Sequence, residues 1–590
     1  APQEPQVEQQ LKDIRAQYAK MEPEQLKVID PCMGSGHILC YLFDVLMQIY
    51  LDNGYSKREA VRSILENNLF GLDIDKRAAQ FAYFSVMMKA REYDSNFFSR
   101  SNIPQPRVYD IQESNWLGGA YKHEMGNFLN SQQHRDTLNY LLDAFVDAKE
   151  YGSILQIKPL NYEGLKEAWE TSAAATAHDA NMAMWYDAAK DAVAQLIEQA
   201  VMLSQKYDAV VTNPPYMGSS GMGANLTNFV KKYYPDSKSD LFAVFIEVCS
   251  HMAAEKRYQA MITQHAWMFL SSYEKLREKM LLTETVNMAH LGARAFEEIG
   301  GEVVQTTSFV RCRTHIDGYK GTYCRLIEPT SQQGKEDMFL AGGNRYFVNQ
   351  DNFAKIPGRP VAYWASTGAL ENYVCMGSVS DMGEGRIGLI TGDANRFLRL
   401  WSEVDFKRIG FDIHSNEESV KSGLKWFPTQ KGGDFRKWYG NLDYIVNWEN
   451  DGYEMKYDNY MGKRVRSHNY NGDLGFKKAI TWTTISSGNF ACRFSGDGFI
   501  YDTAGPFFHV TDDRKLYMLL AFLDSKVANF YLKIMNPTIN FPPGYIQAIP
   551  FSKECQTDQI ENLSKSCTDM SKNDWDAFET SWDFKKHPLV

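Results

Sequence analysis

The sequence predicts an α/β fold, in which a Rossmann-like domain with a helical insertion is followed by an α+β domain. Two observations support this. In the first half of the chain, short apolar runs ending in Gly or Asp alternate with amphipathic stretches, which indicates parallel strands separated by helices. Beyond residue 330 the sequence turns to Gly, Asn, Tyr and Trp with short β-like runs. We therefore assign residues 1–330 to the first domain and 331–590 to the second.

Each element of the first domain has its own signal. Strands are predicted for the apolar runs at 27–30, 68–73, 207–212 and 258–263. Helices are predicted where apolar residues recur at helical spacing, at 38–50, 78–90 and 241–254. Residues 117–205 interrupt the alternation with Ala-, Gln- and Asp-rich sequence, and we interpret them as the helical insertion.

Composition and charge limit the class of protein. The chain has 590 residues, 44% of them hydrophobic, which is enough for several cores. A formal charge of -10 argues against a uniformly basic coat, so a nucleic-acid site would have to be a local patch. Nine cysteines without a C-x-x-C pair indicate no metal site and no disulfide framework. These scattered cysteines fit a reducing cytoplasm best. We expect no membrane segment, since the apolar runs fall short of the ~20 residues that such a helix needs.

A glycine-rich turn follows the first strand and opens directly into a helix. Its candidate ligand-binding residues are Asp30, Pro31, Met33, Gly34 and Gly36. Glycine lets the backbone pass close to a ligand, and the helix N-terminus offers free N–H groups. The turn is neither a G-x-G-x-x-G motif nor a P-loop, and its few charges suit a partly cationic ligand. A tight turn without any ligand is equally compatible with two glycines.

An acidic residue ends the second strand, and another acidic position follows it along the chain. Asp73 can accept both ribose hydroxyls of an adenosine, and Ile74 would press an apolar face against the adenine ring. Asp110 is a weaker candidate for accepting a hydrogen bond from the adenine amino group, since an exposed loop Asp would look the same. Together with the glycine-rich turn, these residues predict an adenosine-containing cofactor.

The third strand runs into Asn213-Pro214-Pro215-Tyr216, the predicted catalytic residues. Two prolines fix φ and remove N–H donors, which leaves rigid carbonyl acceptors. An amine on an aromatic ring becomes nucleophilic when the Asn213 side chain and the Pro214 carbonyl accept hydrogen bonds from its two N–H groups. Tyr216 would stack on the base, a contact worth about 1–3 kcal/mol. We expect Asn213 to contact the cofactor as well. A proline-rich surface turn is the alternative interpretation.

With this order of motifs, the chain resembles the N6-adenine DNA methyltransferases. Residues 240–247 and 260–268 look like the next helix and strand of that family, and residues 291–296 look like its segment that packs on a flipped adenine. The resemblance implies S-adenosylmethionine as methyl donor, double-stranded DNA as substrate, and Phe296 as the second wall around the base. Residues 28–39 and 301–307 are most similar to the methyltransferases of BREX phage-defence systems. This implies self-marking of DNA, with other defence proteins or a phage-encoded inhibitor as partners.

The second domain is the expected target-recognition domain. Residues 421–480 interleave basic and aromatic side chains in Gly-rich loops, which suits phosphate contacts and base readout. Lys463, Arg464 and Arg466 form the densest cluster and are the predicted DNA-binding residues, although a solvated loop is equally compatible. Two other functions stay open. The chain could be the methyltransferase part of a fused restriction-modification enzyme, or a DNA-binding subunit that holds the cofactor without turnover.

Overall fold

A computed structural model describes residues 2–117, 125–172, 180–296, 304–457, 465–486, 488–555 and 557–587. The chain forms two compact units, Ala1–Asp351 and Asn352–Val590. Among the described residues, none of the helices combines the length and hydropathy that a membrane crossing requires.

A nine-stranded mixed sheet forms the centre of the first unit. Its strands are β1 Val28–Asp30, β2 Leu69–Asp73, β3 Arg107–Asp110, β4 Tyr207–Thr212, β5 Ala253–Gln264, β6 Glu284–Gly292, β7 Thr306–Cys312, β8 Lys320–Arg325 and β9 Arg345–Asn349. Their spatial order is β3-β2-β1-β4-β5-β7-β6-β8-β9. The first five strands in this order are parallel, and β7 lies antiparallel between β5 and β6. The Rossmann-like α/β class is therefore confirmed.

Helices pack around this sheet. They are α1 Pro5–Tyr18, α2 His37–Asp52, α3 Lys57–Ser63, α4 Lys76–Tyr93, α5 Gln132–Ala144, α6 Ala148–Tyr151, α7 Tyr162–Thr171, α8 Ala180–Ser204, α9 Ala224–Tyr233, α10 Leu241–Met252, α11 Glu274–Met280 and α12 Gln332–Ala341. The helices α5 to α8 all lie within the segment predicted as a helical insertion.

The last two strands of the sheet extend the first unit beyond residue 330. Strand β8 pairs in parallel with β6, and β9 pairs antiparallel with β8. Residues 320–349 therefore continue the hydrogen-bonded ladder, and the unit ends at Asp351 rather than at the expected residue 330. The change in composition at 330 marks the end of the alternating pattern, but not the end of the sheet.

A helix cap and an apolar core fix the helices α2 and α4, which follow strands β1 and β2. The Asp75 carboxylate accepts hydrogen bonds from the Arg77 and Ala78 N–H groups, which caps the start of α4. Beneath, α2 and α4 bury Phe43 and Val86 in one apolar cluster. Burial of each such side chain contributes about 1.5–3 kcal/mol. This core holds the carboxyl ends of β1 and β2 in place.

The second unit contains small sheets packed with helices. Its strands are β10 Gly377–Ser378, β11 Glu384–Arg386, β12 Leu398–Leu400, β13 Trp426–Gln430, β14 Tyr444–Asn447, β15 Ala479–Trp482, β16 Cys492–Ser495, β17 Ile500–Tyr501, β18 Phe507–His509 and β19 Pro550–Phe551. Its helices are α13 Thr367–Cys375, α14 Ala394–Phe397, α15 Asn416–Ser422, α16 Glu449–Tyr457, α17 Asp513–Leu523, α18 Lys526–Met535, α19 Pro543–Gln547 and α20 Asp558–Trp575. Two four-stranded sheets have the orders β11-β18-β15-β16 and β12-β14-β13-β17. The α+β class is confirmed.

Candidate active site

The carboxylate of Asp30 joins the glycine-rich turn to the loop after β4. Its Oδ1 accepts hydrogen bonds from the Cys32 N–H at 3.0 Å and from the Thr212 hydroxyl at 2.7 Å. Its Oδ2 is buried and has no hydrogen-bond partner among the described residues. Burial, reinforced by the nearby Asp73 carboxylate, raises the pKa of Asp30 to about 7. Since Thr212 precedes Asn213, Asp30 fixes the two predicted motifs relative to each other.

The two glycines of the turn have left-handed backbones for different reasons. Gly34 has φ +53°, and its N–H donates to Asp73 Oδ2 at 2.9 Å. Gly36 has φ +88°, and a Cβ there would lie 2.8 Å from the Ala82 Cα in α4. Glycine at position 36 thus permits both the backbone conformation and the close approach of α4.

A cavity of about 680 Å³ lies at the carboxyl ends of β1, β2 and β4; we call it the first cavity. Its lining includes the predicted site residues Pro31, Asp73, Ile74, Asn213 and Pro215. The Asp73 carboxylate is held in place, since its two oxygens accept from the N–H groups at 34 and 75, each at 2.9 Å. The Ile74 side chain is 55% exposed and offers an apolar face. A carboxylate beside an apolar surface suits a ribose with its attached base.

Other predicted cofactor residues do not line the first cavity. Asp30, Gly34 and Gly36 shape the turn, while the buried Met33 Sδ packs against the backbone of Gly71. The Asp110 side chain is also outside the lining, with Oδ2 buried and 3.7 Å from the Lys149 ammonium. The structure therefore places these residues close to the residues that line the cavity, and not in the lining itself.

Two walls of the first cavity were missed by sequence reasoning. One is the segment 149–154 of the helical insertion, and the other is the region after the prolines, with Met217, Gly221, Gly223, Ala224, Asn225 and Leu226. The glycines at 221 and 223 indicate a loop but not a ligand. Helix α6 is too short to show any apolar periodicity, so its contribution had no signal in the sequence.

The loop at residues 213–216 is rigidly attached to helix α10. Asp240 Oδ1 accepts hydrogen bonds from the Met217 N–H at 3.0 Å and from the Phe242 N–H at 3.3 Å. The Tyr216 ring meets the Phe242 ring edge-on, with centroids 6.1 Å apart. Burial raises the pKa of Tyr216 to about 12, so its hydroxyl is neutral. The ring of Tyr216 is thereby held as a fixed, uncharged surface.

A second cavity, of about 910 Å³, lies on the other side of this loop. Asn213, Pro214 and Tyr216 line it together with Phe296, so the structure brings together the residues that the sequence analysis assigned to the target base. Helix α12 supplies a further wall that was not anticipated, through Gln332, Lys335, Glu336 and Phe339. Asn213 lines both cavities, while Pro215 faces the first and Pro214 the second.

The predicted DNA-binding cluster is only partly described by the structure. Lys463 and Arg464 lie outside the described residues. Arg466 is exposed in the second unit, and its backbone packs against Gly392, where an added Cβ would lie 2.8 Å from the Arg466 Cβ. Gly392 has φ +71°, so this close packing depends on glycine.

Comparison with known proteins adds to this geometry. Residues 67–292 match the family model described as Eco57I restriction-modification methylase. The chain is 41% identical to the adenine-specific methyltransferase PglX of Lacticaseibacillus casei (strain Zhang), over 99% of the chain and 49% of that protein. Over nearly its whole length, the chain is thus similar to PglX. It is also 38% identical to the adenine-specific methyltransferase BrxX of Escherichia coli O9:H4 (strain HS), over 100% of the chain and 49% of that protein. The chain thus spans about half the length of PglX and BrxX.

Among solved structures, the fold resembles a nuclease-deletion mutant of the Type ISP restriction-modification enzyme LlaGI, determined in complex with a DNA substrate mimic. The TM-score is 0.52, with 11% sequence identity, over 95% of this chain and 46% of that one. At this identity the likeness bears on the fold alone, and it agrees with a Rossmann-like α/β unit and an α+β unit.

Proposed function

We propose that this chain transfers a methyl group from S-adenosylmethionine to the exocyclic N6 of a specific adenine in double-stranded DNA. The observation that carries the proposal is the position of Asn213, which lines both cavities. A residue at this junction contacts the methyl donor on one side and the acceptor amine on the other. The relationship to two adenine-specific methyltransferases supports adenine as the target.

The first cavity fits the methyl donor. Its volume lies within the range of about 300–1,000 Å³ that is usual for small-molecule sites. Asp73 would accept the ribose hydroxyls, and Ile74 would cover one face of the adenine ring. When bound, S-adenosylmethionine supplies a methyl group on a sulfonium, a leaving group good enough that neither a metal nor a general base is required.

The second cavity fits the target base. A base inside a duplex cannot reach such a pocket, so the adenine has to be flipped out of the helix. Tyr216 and Phe296 would then contact its faces. The Asn213 side-chain oxygen and the Pro214 carbonyl would accept hydrogen bonds from the two N6 N–H groups, which draws the nitrogen lone pair out of the ring. Because the loop that carries both acceptors is anchored by Asp30 and Asp240 before the reaction, the two acceptors stabilise the charge that develops on nitrogen.

Labelled S-adenosylmethionine and unmethylated duplex DNA test this proposal directly. We expect label to enter the DNA, and sequencing to find N6-methyladenine at one recurrent motif. Label recovered in protein would contradict a DNA substrate, and label on cytosine would contradict the adenine assignment.

Replacement of Asp73 by alanine is expected to weaken S-adenosylmethionine binding. Loss of hydrogen bonds to a charged carboxylate corresponds to a decrease in affinity of about tenfold to 100-fold. Calorimetry on the folded variant measures this. Asp52→Ala, which changes an exposed carboxylate at the end of α2, is the matched control and should bind normally. Unchanged affinity in Asp73→Ala would remove Asp73 from the cofactor site.

The second unit is proposed to recognise the DNA sequence. Neutralising Lys463, Arg464 and Arg466 together is expected to flatten the salt dependence of DNA affinity. For every phosphate that is no longer neutralised, the slope of log K against log salt should fall by about 0.9. Titration of a fluorescent duplex at several salt concentrations measures the slope.

A matched triple variant provides the control for the charge effect. Lys407, Arg408 and Lys421 are exposed basic residues of the same unit. Their neutralisation changes the net charge equally and should leave the slope near that of the parent. Equal slopes for both triple variants would exclude the cluster at 463–466 as a specific phosphate-binding site.

We further propose a role in marking host DNA for phage defence, in keeping with the BREX resemblance. Other defence-system proteins or a phage-encoded inhibitor are the partners that this role implies. All nine cysteines are free thiols, as is usual for proteins of the reducing cytoplasm, where we place the activity.

A further inference from the structure

A short segment of the helical insertion, residues 147–154, crosses one side of the first cavity; we call it the strap. It consists of helix α6 and a 3-10 turn at Gly152–Ile154. Residues 149–154 of the strap line the first cavity beside Ile74. None of the motifs that predicted the site includes the strap.

The start of the strap is anchored to the chain that follows β3. Asn115 Oδ1 accepts from the Asp147 N–H at 2.8 Å, and the Asn115 amide donates to Asp147 Oδ1 at 2.6 Å. The Lys149 N–H donates to Glu113 Oε1 at 3.1 Å. Asp147 itself has φ +54°, an uncommon backbone conformation for a residue other than glycine. The reciprocal pair with Asn115 holds it there.

The end of the strap is anchored to the glycine-rich turn. The Ser153 hydroxyl donates to the Pro31 carbonyl at 2.6 Å, and this hydrogen bond is buried. The Tyr234 hydroxyl donates to the Ile154 carbonyl at 2.9 Å. Because both ends are fixed by hydrogen bonds, the strap is a preformed wall of the cavity.

The middle of the strap contacts the two sides of the cavity. At Gly152, which has φ +58°, an added Cβ would lie 2.7 Å from the Ile74 Cγ2. The neighbouring Tyr151 ring stacks on the Phe229 ring of α9 at 4.3 Å, with an angle of 22° between the planes. The first turn of α9 also lines the cavity. Tyr151 therefore couples the strap to α9, and Gly152 leaves space beside the side chain proposed to face the adenine.

We propose that the strap is a cofactor-binding element that confines the adenosine half of S-adenosylmethionine against Ile74. This inference rests on the proposed function, because it assumes that the first cavity takes this cofactor. The strap lies at the side of Ile74 and Pro31, whereas Asn213 lies where the methyl group is transferred. It therefore contributes equally to binding of S-adenosylmethionine and of its demethylated product, S-adenosylhomocysteine.

Calorimetry with both ligands on two strap variants tests the inference. Tyr151→Ala removes the stacked ring, and Gly152→Ala introduces the Cβ that collides with Ile74. Each substitution is expected to lower the affinity for both ligands by the same factor, about tenfold. The matched control is Tyr140→Ala, a tyrosine of α5 in the same insertion that does not line the cavity. It should bind both ligands within about twofold of the parent.

The outcomes separate the strap from the proposed function. Thermal unfolding without ligand shows whether each variant is folded, and Tyr151→Ala decides the question if Gly152→Ala is not. If folded Tyr151→Ala binds both ligands with the affinity of the parent, the proposed role of the strap is contradicted, while the first cavity stays the proposed cofactor site. An equal loss in Tyr140→Ala also contradicts it, since the effect would not be local. A parent chain that binds neither ligand contradicts the proposed function itself.

Discussion

Asn213→Ala is expected to lower the rate of adenine methylation by about 10²- to 10³-fold, the usual loss when one preorganised transition-state partner is removed. Alanine removes the side-chain oxygen proposed to accept a hydrogen bond from an N6 N–H group, while the Pro214 carbonyl remains. The lone pair of N6 then stays delocalised in the adenine ring for most of the time in which the nitrogen approaches the methyl group. Single-turnover methylation of a duplex at saturating cofactor measures this rate without interference from product release.

The matched control for Asn213→Ala is Asn225→Ala. Asn225 lies in the first turn of α9 and lines the first cavity but not the second. Removal of the Asn225 side chain should change the affinity for the cofactor, but not the methylation rate at saturating cofactor. Calorimetry should find that Asn213→Ala still binds S-adenosylmethionine. A parent-like methylation rate in Asn213→Ala would refute the assignment of this residue to the chemistry.

The part of the site at the strand ends could be predicted from the sequence. Asp30, Asp73 and Thr212 end strands β1, β2 and β4, which are neighbours in the parallel part of the mixed sheet. Because the carboxyl ends of parallel strands share one edge, motifs that follow such strands converge whatever the length of chain between them. Apolar runs with polar ends carry this information locally, so the sequence alone brings these residues together.

The outer walls of both cavities could not be predicted in this way. The strap reaches Pro31 through the hydrogen bond from Ser153, which joins residues far apart in sequence. A contact of this kind depends on the tertiary arrangement of the insertion and not on a local sequence pattern. Helix α12 begins at Gln332, just beyond the change in composition at residue 330, so the sequence pattern places it in the second domain although it lines the second cavity.

The loop between the cavities is fixed from both sides by carboxylates. Asp30 binds the Thr212 hydroxyl before the loop, and Asp240 binds the Met217 N–H after it. Between these two anchors, the prolines leave few free torsions. The loop thus reaches its reactive geometry during folding, and binding of cofactor or base does not have to order it. Such a fixed loop is what the proposed role of the exposed Asn213 as an acceptor requires.

The glycine-rich turn gives the second large prediction, which concerns stability. Gly36→Ala is expected to lower the free energy of unfolding by about 3 kcal/mol, because the left-handed backbone strain adds to an overlap that moves α4. Gly34→Ala should cost only about 1 kcal/mol, since a Cβ at position 34 meets nothing within 4 Å. Urea denaturation of the two variants measures both values under the same conditions.

The pair of alanine variants separates packing from backbone strain. Both glycines have positive φ, so strain alone predicts similar losses for the two variants. The Ala82 Cα, 2.8 Å from the added Cβ at Gly36, belongs to a helix backbone and cannot rotate away. Equal losses would therefore show that α4 shifts at little cost and that the turn and this helix are not tightly packed. A much larger loss for Gly36→Ala would mean that glycine at 36 serves the fold, while glycine at 34 keeps the backbone N–H directed to Asp73.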